Sequence, residues 1–150
     1  MTREEIITQL SDYFDIKELV CKHTYAAFGQ RAWQFLDTEY LHCLLIIRRD
    51  ILGVPMTCNY GDKTQRGLRC NLCQIVQDKT KAGKIYLSAH VNGAGGDFDA
   101  RGMTAEEVRR AIERKSDILP YSIRMEAGVT WLHFDVYDYM NGKKINYFDP

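Results

Sequence analysis

The chain reads as an α+β domain in which N-terminal helices pack on a small, mostly antiparallel sheet. Three observations predict this class. Apolar residues in the first third recur at helical spacing. The last third holds short runs rich in aromatic and β-branched residues, and one capped helix is inserted among those runs. No repeat, low-complexity tract or Pro/Ser-rich linker interrupts the sequence, so residues 1–150 are expected to form a single domain with a sizeable core.

Taken in order, Thr2-Arg-Glu-Glu5 forms a capping box ahead of Ile6, Ile7 and Leu10. A longer helix is predicted over residues 37–52, where Tyr40, Leu41, Leu44, Leu45, Ile47, Ile51 and Leu52 make one buried stripe. Gly53 caps its end and Pro55 follows. Trp33, Phe35 and Leu36 belong to a preceding helix or turn on the same core. Residues 56–60 read as a strand, 61–67 as a polar loop, 71–79 as a short helix and 84–91 as a strand. The glycine-rich turn Asn92-Gly-Ala-Gly-Gly96 leads into a short strand at 97–100. Thr104-Ala-Glu-Glu107 opens another capped helix, which ends before Pro120. Strands at 121–126, 129–137 and 144–148 complete the domain.

Twenty basic residues balance twenty acidic ones, so no global field recruits nucleic acid or an anionic membrane, and neither is expected as a partner. The longest apolar run, Cys43-Leu-Leu-Ile-Ile47, is too short to span a bilayer. Met-Thr-Arg-Glu-Glu lacks the charged-then-apolar pattern of a secretory leader, so the chain is expected to be cytoplasmic as synthesised, unless something else exports or releases it. Five cysteines are an odd number without framework spacing, which favours reduced thiols. A structural zinc at Cys70-Asn-Leu-Cys73 would need two further ligands, and Cys58 is the only nearby cysteine, so these thiols are expected to face the core or each other. His23 has no ligand partner near it in sequence, and His42 reads as a half-buried packing residue of the long helix.

Two phrases carry chemistry. Ser88-Ala-His90-Val-Asn-Gly93-Ala-Gly95-Gly96-Asp97 holds an imidazole and a carboxylate on either side of a tight reversal, and Trp131-Leu-His133-Phe-Asp135 holds a second imidazole. His90, Asp97 and His133 form an N/N/O set suited to Zn2+, and three protein ligands leave a fourth position for water, the mark of a catalytic site. The glycines do not have phosphate-loop spacing, and no Lys-Ser/Thr follows them. Along a strand over 129–137, Trp131, His133 and Asp135 share one face. Asp135 then either orients His133, or takes a proton as general base, or sits on a solvated face. Asp99 is a further carboxylate on the strand of Asp97.

The pattern Ser-x-His-x-x-Gly-x-(small)-x-Asp followed by Trp-x-His resembles the M15 zinc peptidases, the D-alanyl-D-alanine carboxypeptidases and L-alanyl-D-glutamate endopeptidases that share their fold with the Hedgehog signalling domain. The likeness covers about the C-terminal 90 residues and is greatest to short phage-encoded members. It implies Zn2+ held by His90, Asp97 and His133, with water as fourth ligand, and hydrolysis of peptide bonds in peptidoglycan stem peptides, of endolysin or D,D-carboxypeptidase type. It also implies action on the cell wall after release, or within a phage particle. The family often has a Ser-Gly-x-Arg phrase. Arg66-Gly67-Leu68-Arg69 matches it from the glycine on, so Arg69 is the candidate for holding the substrate carboxylate or steadying the oxyanion. Many members place a catalytic glutamate three residues before the second histidine, where this chain has Thr130. Asp135 and Glu126 are the available substitutes, with Asp135 preferred for its direction. Thr130 at that position is the feature that most favours an alternative, a catalytically inactive metal-binding structural or cell-wall-binding module of a phage or bacterium. A metal-dependent hydrolase acting on a different small substrate is a third reading.

Overall fold

The computed structural model describes residues 1–150. The helices are α1 (Arg3–Leu10), α2 (Ile16–Leu19), α3 (Lys22–Phe28), α4 (Thr38–Ile46), α5 (Gln74–Lys81) and α6 (Ala105–Arg114). The strands are β1 (Met56–Thr57), β2 (Gly95–Ala100), β3 (Ile123–Glu126), β4 (Leu132–Asp135) and β5 (Ile145–Phe148). The architecture is α+β, as the sequence predicts. The sheet order is β1-β2-β4-β3-β5, antiparallel throughout except for the parallel pair β3/β5.

Local chemistry explains most boundaries. Thr2 and Glu5 close a reciprocal capping box on α1, and Thr104 and Glu107 do the same for α6. The Asp37 side chain caps α4 through the Tyr40 amide. That helix widens into π geometry over Ile47–Leu52 and stops at Gly53, φ 65°. Trp33 and Phe35 lie in a 3-10 turn over Gly29–Phe35.

Strand alternation divides the sheet into two faces. Phe98 of β2, Ile123 and Met125 of β3, and Leu132 and Phe134 of β4 join one hydrophobic core with Ile6, Leu10, Tyr40, Leu41, Leu44, Val108 and Ile112 of the helices. Phe98 stacks on Phe134 at 5.8 Å, and Tyr40 of α4 meets Phe134 at 5.3 Å. With those residues turned inward, Asp97, Arg124, Glu126, His133 and Asp135 project to the opposite face. The candidate site lies there.

Several expected strands differ. Residues 84–91 form no ladder, because β1 and β4 already occupy both edges of β2. This segment crosses the polar face of the sheet instead, leaving Ile85 and Leu87 89% and 66% exposed. The expected strand over 56–60 shortens to β1, and that over 129–137 shortens to β4. The strand expected at 97–100 starts two residues earlier, so Gly95 and Gly96 are part of the ladder.

Phe134 is fully buried and touches both the helical layer and Phe98. Phe134→Ala is expected to lower stability by about 3–5 kcal/mol, read by urea denaturation. A loss below about 1 kcal/mol would contradict this account of the core.

Candidate metal centre

The β2/β4 register places Asp97 opposite His133 and Gly95 opposite Asp135. A Cβ at Gly95 would collide with the Asp135 side chain, so glycine there is what lets β2 approach β4. His90 arrives from the turn preceding β2. One donor atom from each of His90, Asp97 and His133 lies within 4.8 Å of the others, and all three residues are buried. His90 Nε2 is 3.4 Å from Asp97 Oδ2, and His133 Nδ1 is 2.7 Å from Asp97 Oδ1.

The far side of each ring is anchored. His90 Nδ1 donates to the Gly67 carbonyl at 2.9 Å. His133 Nε2 donates to Asp135 Oδ2 at 2.7 Å. This is the outer support that metal-binding imidazoles require: the remote N–H is fixed by an oxygen, and the near nitrogen is aimed at the common centre. Ligand atoms about 2.0–2.1 Å from a tetrahedral ion stand about 3.3–3.4 Å apart; the His90–Asp97 spacing matches this, while His133 and Asp97 stand at the shorter distance of a hydrogen bond. The three residues therefore suit a borderline divalent cation. They border a cleft of about 460 Å³ that leaves one side of the centre open.

Electrostatics keep the donors poised. Burial pushes the Asp97 carboxyl up, but the hydrogen bonds from His133 and His90 outweigh it and hold Asp97 below the usual carboxylate range. Burial disfavours a charged His133, yet its bonds to Asp135 and Asp97 prevail and raise it to about 9. A ring nitrogen must be free of its proton to bind a cation, so a metal at His133 Nδ1 would compete with a proton there.

Asp135 is fully buried, and its acceptor positions are filled. Oδ1 accepts from Arg124 Nε at 2.9 Å and from the Tyr137 amide at 3.1 Å. Oδ2 accepts from Arg124 Nη2 at 2.9 Å and from His133. Of the roles open to it in the sequence, this arrangement supports orienting His133, and a solvated strand face is excluded. Glu126 lines the same cleft, and its carboxylate makes no hydrogen bond or ion pair within the chain. Of the two carboxylates on this cleft, that of Asp135 is thus engaged on both oxygens and that of Glu126 is free of partners. Asp99 turns away to Lys63 and Arg66, at 2.8 and 2.9 Å. Thr130 lines a separate cavity with Met103 and Arg109.

Arg69 does reach the cleft. Its Nε donates to the Gln65 carbonyl and its Nη1 to the Tyr86 hydroxyl, while Nη2 stands 3.9 Å from Asp97 Oδ2. Sequence reasoning missed Arg124, which alternates with the core residues Ile123 and Met125 but is aligned with Asp135 only through the β3/β4 register. It also missed a second cluster. Cys21, His23, Cys70 and Cys73 offer ligand atoms within 4.8 Å of one another, so His23 does have ligand partners and Cys58 is not among them.

Comparison with protein-family models, with curated proteins and with solved structures finds no match to this chain.

Replacing Arg124 leaves the Asp135 charge buried with only His133 to balance it. Arg124→Met is expected to cost about 3 kcal/mol in chemical denaturation, and Arg124→Met combined with Asp135→Leu to recover part of that loss. An Arg124→Met protein as stable as the parent would show that the pair is not what fixes Asp135.

Proposed function

We propose that the chain is a zinc-dependent peptidase of the M15 type, hydrolysing peptide bonds in peptidoglycan stem peptides as an endolysin or D,D-carboxypeptidase. One observation carries the reading: two imidazoles and one carboxylate converge at the base of an open cleft, each ring braced from behind by an oxygen acceptor. The sequence phrases around those residues resemble the family's, and the α+β architecture suits it.

His90, Asp97 and His133 would hold Zn2+ through His90 Nε2, an Asp97 oxygen and His133 Nδ1. Bound there, the ion supplies Lewis acidity, polarising the scissile carbonyl and acidifying the attacking water. Glu126 accepts the proton of that water and passes it to the leaving amine, a role its unpaired carboxylate on the cleft wall allows. Asp135 holds the His133 ring in place. Arg69, fixed by Gln65 and Tyr86, presents Nη2 to an anionic group of the substrate, either its carboxylate or the developing oxyanion. Leu87, Tyr137 and Phe148 give the cleft apolar walls for the stem-peptide side chains.

No helix of the chain is long and apolar enough to cross a membrane. On the peptidase reading the protein reaches the wall by release from the cell or as part of a phage particle.

The test is digestion of purified peptidoglycan by zinc-loaded protein, with new amino and carboxyl termini identified by mass spectrometry. The parent is expected to cleave stem peptides. Glu126→Gln is expected to lose about 100-fold or more in kcat while keeping its zinc. Asp135→Asn is expected to weaken zinc binding about 10–100-fold. Absence of cleavage by fully metallated protein would overturn the peptidase reading in favour of a metal-bearing binding module, the reading that Thr130 at the usual glutamate position favours.

A further inference from the structure

We propose that Cys21, His23, Cys70 and Cys73 form a second metal site, a closed tetrahedral Zn2+ centre that ties the N-terminal helices to the wall of the cleft that holds His90, Asp97 and His133. The proposal does not rest on the peptidase reading.

The donor set is the first argument. Three sulfurs and one imidazole nitrogen are a four-ligand zinc set that leaves no position for water, as in structural sites. They come as two short chelating pairs, Cys21-Lys-His23 and Cys70-Asn-Leu-Cys73, so each turn supplies two ligands. Geometry is the second. At zinc–sulfur and zinc–nitrogen bonds of about 2.3 and 2.0–2.1 Å, a sulfur and a nitrogen on tetrahedral vertices stand about 3.6 Å apart. His23 Nδ1 lies 3.7 Å from Cys70 Sγ and 3.9 Å from Cys73 Sγ. The thiols also receive backbone donors that suit thiolates: the Thr24 amide is 3.5 Å from Cys21 Sγ, and the Leu72 amide is 3.3 Å from Cys70 Sγ.

Packing supplies the third argument. Cys43 and Cys58 belong to the main core, where burial alone accounts for them. Cys21 and Cys73 instead lie in a satellite of three buried residues, completed by Val76. So small a cluster gives little hydrophobic stabilisation to a junction of three chain segments, and metal ligation can replace it. A cleft of about 370 Å³ bordered by Cys21, His23 and Cys73 gives an ion access.

The location gives the site its consequence. Val20 and Leu68 form a parallel bridge, with the Leu68 amide donating to Leu19 and the Cys21 amide to Leu68, both at 2.9 Å. A Cβ at Gly67 would collide with the Leu19 backbone, so the two segments are in direct contact. The same residues 66–69 face the His90/Asp97/His133 cluster on their other side. Arg66 accepts from the Asp97 amide at 2.8 Å, Gly67 accepts from His90 Nδ1, and the Arg69 amide donates to the His90 carbonyl at 3.0 Å. Ligation at the cysteines thus fixes the segment that orients His90.

The test counts and locates zinc in the full chain, purified under reducing conditions with zinc and without chelator. The parent is expected to hold about two equivalents, and a His90→Ala/His133→Ala variant to keep about one. Cobalt loaded into that variant should show intense thiolate-to-metal charge-transfer absorption, lost in Cys70→Ser/Cys73→Ser. In the parent protein, which avoids any folding defect, zinc should shield Cys21, Cys70 and Cys73 from iodoacetamide, and chelation should expose them. If half-exposed Cys70 alkylates equally fast with and without zinc, or if the thiols are found as a Cys70–Cys73 disulfide, the proposal is overturned. Thiol protection persisting in a protein whose His90/Asp97/His133 cluster takes up no metal would support this site while removing the catalytic one.

Discussion

The candidate centre depends on one constraint, the antiparallel register of β2 on β4. With Phe98 opposite Leu132 and Phe134 turned into the same core, Asp97 and His133 must face each other on the far side. A slip of β4 by one residue would send His133 and Asp135 into the helical layer and Leu132 and Phe134 into the cleft. The hydrophobic core therefore selects the geometry of the polar site, and Gly95 makes the close approach possible by leaving room for Asp135. The site in turn contributes to the lock. Asp135 ties β4 to β3 through Arg124, and His133 ties β4 to β2 through Asp97.

Much of this was readable in the residues. Capping boxes, the apolar stripe ending at Gly53 and the strand-rich C-terminal third give the class and most of the elements, because each is a local pattern of side chains. The alternation around His133 likewise puts His133 and Asp135 on one face. What escaped is non-local. Residues 84–91 have strand-like composition, yet both edges of the neighbouring strand are taken, and composition does not report that competition. Arg124 meets Asp135 only because β3 lies beside β4, a pairing set by tertiary packing. Cys21 and His23 come close to Cys70 and Cys73 through the single bridge of Val20 to Leu68, across nearly fifty residues of chain. Neither pair alone is a four-ligand motif.

A polar loop is held between the sheet and the helical layer by hydrogen bonds on both sides. Residues 66–69 have few apolar side chains to bury, but hydrogen bonds reach them from His90 and Asp97 on one side and from Leu19 to Cys21 on the other. Preorganisation of a metal ligand needs such outer support, because an imidazole free to rotate spends binding energy on being held. In this fold the support for His133 comes from within the sheet, through Asp135 and Arg124. The support for His90 comes from a loop fastened to the helical layer.

Anomalous diffraction at the zinc absorption edge, from crystals of the zinc-loaded parent chain, tests the central claim most directly. The account predicts a peak about 2.0–2.1 Å from His90 Nε2, His133 Nδ1 and an Asp97 oxygen, with His133 Nε2 still bonded to Asp135. A zinc-saturated crystal with no peak at that position, or with His133 turned so that Asp135 has lost its bond, would contradict it.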